Sequence, residues 1–273
     1  MKRILFAAVA VMIAAAACSG PKTNAEKTEA YVAGIDKILD EYRNAEDPDA
    51  VEDDVIRKIV DLSLATMKKY PKDTVAMDAL YGCYQYAEPE DLRKAIKHLS
   101  PELQDAAFVK GVLEIVETRI ATKEGQPFLD FTVDHVLGEN PDGTLNIEQR
   151  KLSDYVGKGK YILVDFWSPW CPPCKAELPN IVNVYNKYHG DNFDILSVAV
   201  WEESRGMSWR NTIDTAAVYG ITWNQMNNGH QQPAALYGIE GIPHVILFGP
   251  DGTIVKRDLR GQDLEDAVAA IAK

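Results

Sequence analysis

Tyr161-Ile162-Leu163-Val164-Asp165-Phe166-Trp167-Ser168-Pro169-Trp170-Cys171-Pro172-Pro173-Cys174 is the stretch whose reading decides the fold. Lys160 to Trp167, dense in branched and aromatic side chains, predicts a buried strand, and Lys175 to Tyr188 predicts a helix. The C-x-x-C therefore sits at a strand-to-helix corner. A sulfur there meets unpaired backbone N–H groups and the positive end of the helix dipole, which stabilise a thiolate, the nucleophile of disulfide exchange. The first helical turn is expected to expose the Cys171 sulfur, with Cys174 beneath it. Pro173 suits the start of a helix and Pro172 pushes Cys171 towards extended backbone. Neither proline can donate an N–H, which leaves the Cys174 amide, the Cys174 thiol and the dipole to favour the thiolate. Zinc uses the same spacing but needs four ligands; no second pair or histidine cluster accompanies this one, so no metal site is expected.

On either side the pattern stays α/β. Phe193 to Trp201 reads as a second buried strand, and Trp209 to Tyr219 as a helix followed by a loop. Val245 to Phe248 and Thr253 to Arg257 flank the turn Gly249-Pro250-Asp251-Gly252, a hairpin signal, and Leu264 to Ala272 closes as a helix. Upstream, Phe128, Phe131, Val133 and Val136 mark a strand-rich stretch before the turn Asn140-Pro141-Asp142-Gly143. Strand–helix–strand followed by hairpin–helix gives an α/β domain with a mixed sheet over residues 127–273. Residues 26–122 are helical throughout, with Ile35, Ile38, Leu39 and Tyr42, and then Val55, Ile59, Leu62 and Met67, at helical spacing. About five helices are expected there, with the acidic tract Glu46 to Asp54 forming a solvated loop and first turn. No ligand cluster stands out in this half.

The run Val164 to Lys175 resembles the thioredoxin active site, and Tyr237-Gly238-Ile239-Glu240-Gly241-Ile242-Pro243 resembles that family's cis-proline loop. Glu177-Leu178-Pro179 and the helical insertion before the loop are similar to the TlpA/ResA branch of exported, membrane-tethered thioredoxins. The resemblance covers residues 127–273. It implies a thioredoxin-like C-terminal domain, a mixed central sheet flanked by helices, preceded by an all-α N-terminal domain. It further implies that Cys171 attacks, Cys174 resolves, and Trp170 lies over the sulfurs as an apolar lid. Asp165, an acid inside an apolar strand, matches the carboxylate that takes the proton of the resolving thiol. Glu177 matches a glutamate near the same sulfur, and Ile242 and Pro243 match the groove for an extended client. His244 departs from the small polar residue common at that position; it is either an electrostatic neighbour of the thiol or a plain strand-start histidine. The redox-active Cys171–Cys174 disulfide is the sole redox group implied, with no cofactor.

At the N-terminus, Lys2 and Arg3 precede an apolar run from Ile4 to Ala17, too short to span a bilayer and typical of a signal peptide over 1–17. Ala15-Ala16-Ala17-Cys18-Ser19-Gly20 resembles a lipobox with Ala15 in place of the usual Leu; ordinary signal peptidase cleavage would give the same first residue. Residues 18–25 then form a lipidated Cys18 and a polar tether, holding the protein at a membrane facing the periplasm. Cys83 reads as a small buried hydrophobe. A net charge of −12 disfavours nucleic acid as a partner. The partners expected are oxidised client proteins, a membrane thiol protein as electron donor, and the membrane itself through lipid. Two other readings stay open: a thiol peroxidase, although the threonine-containing loop such enzymes carry upstream of the cysteine is missing, and a lipoprotein adaptor whose helical domain binds a partner.

Overall fold

The computed structural model describes residues 23–228 and 232–271. The signal peptide over 1–17 and the lipidation residue Cys18 lie outside the described residues. The chain separates into two compact units with the break between Ile120 and Ala121.

The first unit is helical, built from α1 (Asn24–Arg43), α2 (Pro48–Lys69), α3 (Val75–Cys83), α4 (Pro89–His98), the short α5 (Pro101–Gln104) and α6 (Ala107–Ala121). Local chemistry sets the starts. Thr23 and Glu26 form a reciprocal capping box on α1, and proline occupies the first turn of α2, α4 and α5, where its missing N–H costs nothing. Apolar stripes then converge on one core that includes Met67, Leu80, Leu92, Ile96, Val109 and Val116. Gly82 has a positional reason: a Cβ there would lie 2.3 Å from the Tyr31 hydroxyl, which instead reaches Ser63 Oγ at 2.8 Å. Cys83 is a free, buried thiol whose pKa burial pushes up to about 12, the behaviour of an inert core residue. Glu52, placed by the sequence in a solvated tract, is only 8% exposed because it falls on the inner side of α2.

The second unit is a seven-stranded sheet with helices. Its elements are β1 (Thr132–Glu139), β2 (Leu145–Lys151), β3 (Tyr161–Trp167), α7 (Pro172–Tyr188), β4 (Phe193–Val200), α8 (Trp209–Val218), β5 (Asn224–Asn228), α9 (Gln232–Leu236), β6 (His244–Phe248), β7 (Ile254–Arg257) and α10 (Gly261–Ile271). The strand order is β2-β1-β5-β4-β3-β6-β7. β3, β4 and β5 run parallel, whereas β6 and β7 on one side and β1 and β2 on the other pair antiparallel, so the sheet is mixed as expected. Alternation along β3 splits its side chains between two cores. Leu163 and Trp167 join Leu178, Ile181 and Val184 of α7 and Leu264 and Val268 of α10. Val164 and Phe166 join Phe131, Tyr237 and Ile246 on the opposite face. Helix α7 starts at Pro172, three residues before the periodicity predicts, because the two prolines fill its first turn. No helix among the described residues is long and apolar enough to cross a membrane.

Candidate active site

Cys171 is the N-cap of α7. Its backbone is extended (φ −88°, ψ 104°), Pro172 and Pro173 follow in the first turn, and its Sγ accepts the Cys174 N–H at 3.1 Å. The sequence gives this geometry directly, since proline restrains the residue before it and opens the helix after it. Cys171 and Cys174 form a disulfide.

The expectation of an exposed first sulfur is not met. Cys171 is 2% exposed and Cys174 1%. Trp170 and Ile242 pack onto the cluster that contains both cysteines. Trp170 is fixed there from outside: its Nε1 donates to the Trp201 carbonyl at 3.1 Å, and the Arg205 guanidinium lies 4.9 Å from its ring centroid. Trp201 itself sits at φ 60°, a left-handed conformation that is uncommon for a bulky residue and clusters at functional sites. The Ile242–Pro243 peptide is cis, and the Ile242 carbonyl oxygen lies 3.6 Å from Cys171 Sγ. Arg260 donates to the Pro243 carbonyl at 2.9 Å, bracing the loop from α10's side.

Asp165 lies on β3 between Leu163 and Trp167, which pack in the same cluster as the two sulfurs. It is 1% exposed, and its Oδ1 has no hydrogen-bond partner. Burial pushes its pKa up to about 7 against the opposing effect of a Ser197 hydrogen bond, with the Glu177 charge adding to the rise. A carboxyl that changes charge near neutrality can both take and return a proton.

Glu177 has partners that its spacing does not announce. Its Oε1 accepts the Gly261 N–H at 2.8 Å and Asn180 Nδ2 at 2.7 Å, which ties α7 to the start of α10. Its link to Asp165 is through charge. His244 opens β6, where Arg257 Nη2 lies 3.2 Å from Nε2. A guanidinium only donates, so Nε2 accepts and the ring proton sits on Nδ1, 3.5 Å from Asp258 Oδ1. Burial and Arg257 push the His244 pKa down to about 4, so the ring is neutral at pH 7. Sequence reasoning missed Ser197, Arg260 and the Trp201 carbonyl. Ser197 had a legible signal: it interrupts the apolar strand Phe193–Val200 as Asp165 interrupts β3. No group of three or more metal-ligating side chains forms among the described residues.

Residues 125–257 match the AhpC/TSA family. The chain is 30% identical over 111 residues to thiol-disulfide oxidoreductase ResA of Bacillus subtilis, which covers 41% of this chain and 58% of that protein. It is 30% identical over 132 residues to the ResA of Geobacillus thermodenitrificans, covering 47% and 72% respectively. The thioredoxin domain of a thiol-disulfide oxidoreductase from Bacteroides vulgatus aligns at 28% identity with a TM-score of 0.45, over 55% of this chain and 99% of that one. Identity to ResA proteins at this level, over most of the Geobacillus relative, joins the corner chemistry of Cys171 and the mixed sheet: the chain belongs to the ResA-like thiol–disulfide oxidoreductases of the thioredoxin fold.

Proposed function

We propose that this protein reduces disulfides of exported proteins in the cell envelope through Cys171 and Cys174. The observation that carries the reading is Cys171 as N-cap of α7, its sulfur held by the Cys174 N–H and lying in one cluster with the strand that bears the buried Asp165. In the reduced protein the Cys171 thiolate attacks one sulfur of a client disulfide, forming a mixed disulfide and expelling the first client thiolate. Cys174 passes its proton to Asp165, and its thiolate attacks Cys171 Sγ. The Cys171–Cys174 disulfide forms and the second client thiolate leaves. Two electrons pass to the client, and a dithiol protein of the membrane restores the pair. Trp170, Ile242 and Pro243 bind the client, with the Ile242 backbone offering strand-like pairing, and Glu177 assists Asp165 through its charge. Lipid on Cys18 holds the protein at the membrane.

Single substitutions of the two cysteines separate attack from release. Cys171→Ser abolishes insulin reduction, whereas Cys174→Ser accumulates mixed disulfides with envelope proteins, since release needs the second sulfur. A Cys174 variant that traps no adduct overturns the assignment. The AhpC/TSA match makes peroxide consumption the control activity: peroxide turnover above insulin reduction in the same preparation would favour a thiol peroxidase. Mass spectrometry of the mature N-terminus checks the lipid.

A further inference from the structure

The hydrogen bonds around Asp165 are asymmetric. Ser197 is its register partner on β4, and Trp223 immediately precedes β5, the next strand of the sheet. Trp223 Nε1 lies 2.9 Å from Ser197 Oγ, and an indole N–H can only donate, so the serine oxygen accepts there. The serine's single proton is then directed at Asp165 Oδ2, 3.3 Å away. Asp165 Oδ1 is buried and has no partner. Among the described residues, Ser197 of β4 is its hydrogen-bond partner, Glu177 of α7 is the neighbouring charge, and β6 places the apolar Val245 opposite, while Cys174 packs in one cluster with Leu163 and Trp167, which flank Asp165 on its own strand.

We propose that Trp223 and Ser197 are positioning residues that hold Asp165 Oδ2 as a fixed acceptor and thereby assign the exchangeable proton to Oδ1. The inference rests on the reading of Asp165 as the base of the release step. In that step the Cys174 proton moves to Oδ1, while the electron pair of the breaking client–Cys171 bond leaves on the client sulfur. The Asp165 proton then returns to solvent. Ser197 stays bonded to Oδ2 before and after, so no donor has to reorient during the transfer. Its bond favours the ionised carboxyl, the form that accepts the proton.

The test is a carbon-13 carboxyl NMR titration of the reduced full-length protein, beside rapid-mixing kinetics of client release across pH. Ser197→Ala removes the donor, and Trp223→Phe keeps the buried ring but frees the serine hydroxyl to rotate. Both should strengthen proton binding at Asp165 by roughly three- to tenfold, the size of one ordinary side-chain hydrogen bond, while Ser197→Thr retains the wild-type midpoint. The pH–rate profile of release should move by the same factor and recover its plateau at high pH. Folded variants whose Asp165 midpoint does not move, or whose release slows equally at every pH, overturn the proposal. Release at wild-type speed in Asp165→Asn would instead overturn the base reading alone, because the carboxyl midpoint still reports the relay.

Discussion

Trp170 makes two anchoring contacts away from the sulfurs, to the Trp201 carbonyl and the Arg205 guanidinium, while its ring joins the cluster holding Cys171. A small thiol in solution has to reach a sulfur that is 2% exposed, whereas a protein partner can displace the ring and replace its contacts. Trp170→Ala should therefore speed reduction of the oxidised pair by glutathione several-fold while slowing protein-client turnover. Stopped-flow tryptophan fluorescence and insulin assays measure both; equal effects on the two would show that the ring neither covers nor recognises. The identity of these side chains was legible in the sequence, but not their burial. Ile242 and the Trp201 carbonyl lie far along the chain from Cys171, and no local pattern states that the first packs onto its cluster or that the second anchors Trp170. Glu177 shows the same limit: helical spacing puts it one turn beyond Cys174, yet Gly261, which claims its Oε1, lies 84 residues away.

At the scale of elements, the first turn of α7 sets the thiolate. An N-cap acceptor can take N–H groups from the second and third helical positions. Pro173 occupies the second, so the Cys174 amide at the third is the donor that reaches Cys171 Sγ. Pro173→Ala restores a second donor, stabilises the thiolate and makes the pair more oxidising. The expected rise in reduction potential is about 30 mV for each tenfold gain in stability of the reduced form. Equilibration with glutathione checks it, and an unchanged or lower potential would contradict the donor argument. Most elements of this unit are written in their own periodicity. β5 is an exception, because Asn224-Gln225-Met226-Asn227-Asn228 carries one large apolar residue and is a strand through its pairing with β4 and β1. The sequence reads it as loop for that reason.

For the whole molecule, the break at Ile120–Ala121 predicts that residues 121–273 fold and reduce insulin alone. A fragment beginning at 127 should be less stable. It loses Thr122, whose carbonyl and Oγ1 accept from Arg257 Nη1 at 2.7 and 2.8 Å, and Glu124, which accepts the Arg257 N–H. Losing these hydrogen bonds to a guanidinium costs on the order of 1–3 kcal/mol, measurable by urea unfolding of the two fragments; equal stability would remove Thr122 and Glu124 from the fold's support.

Asp165 and His244 lie on adjacent strands, Asp165 opposite Val245 and His244 opposite Phe166. Their titrations oppose one another. The Asp165 carboxyl, ordinarily near 3.8, titrates at about 7 in the fold, so between those values the native state holds the extra proton and stability falls as pH rises. His244, ordinarily near 6.5, titrates at about 4, so there the unfolded chain holds the extra proton and stability falls as pH drops. From about pH 4 to 6.5 the two slopes, each about 1.4 kcal/mol per pH unit, cancel. The pair compensates the fold against acidification, leaving the sheet that carries both groups equally firm from about pH 4 to 6.5. Asp165→Asn removes one half of the balance. Urea unfolding should then show stability climbing with pH from 4 to 6.5 relative to the wild type, and parallel pH curves for the two proteins would show that no compensation exists.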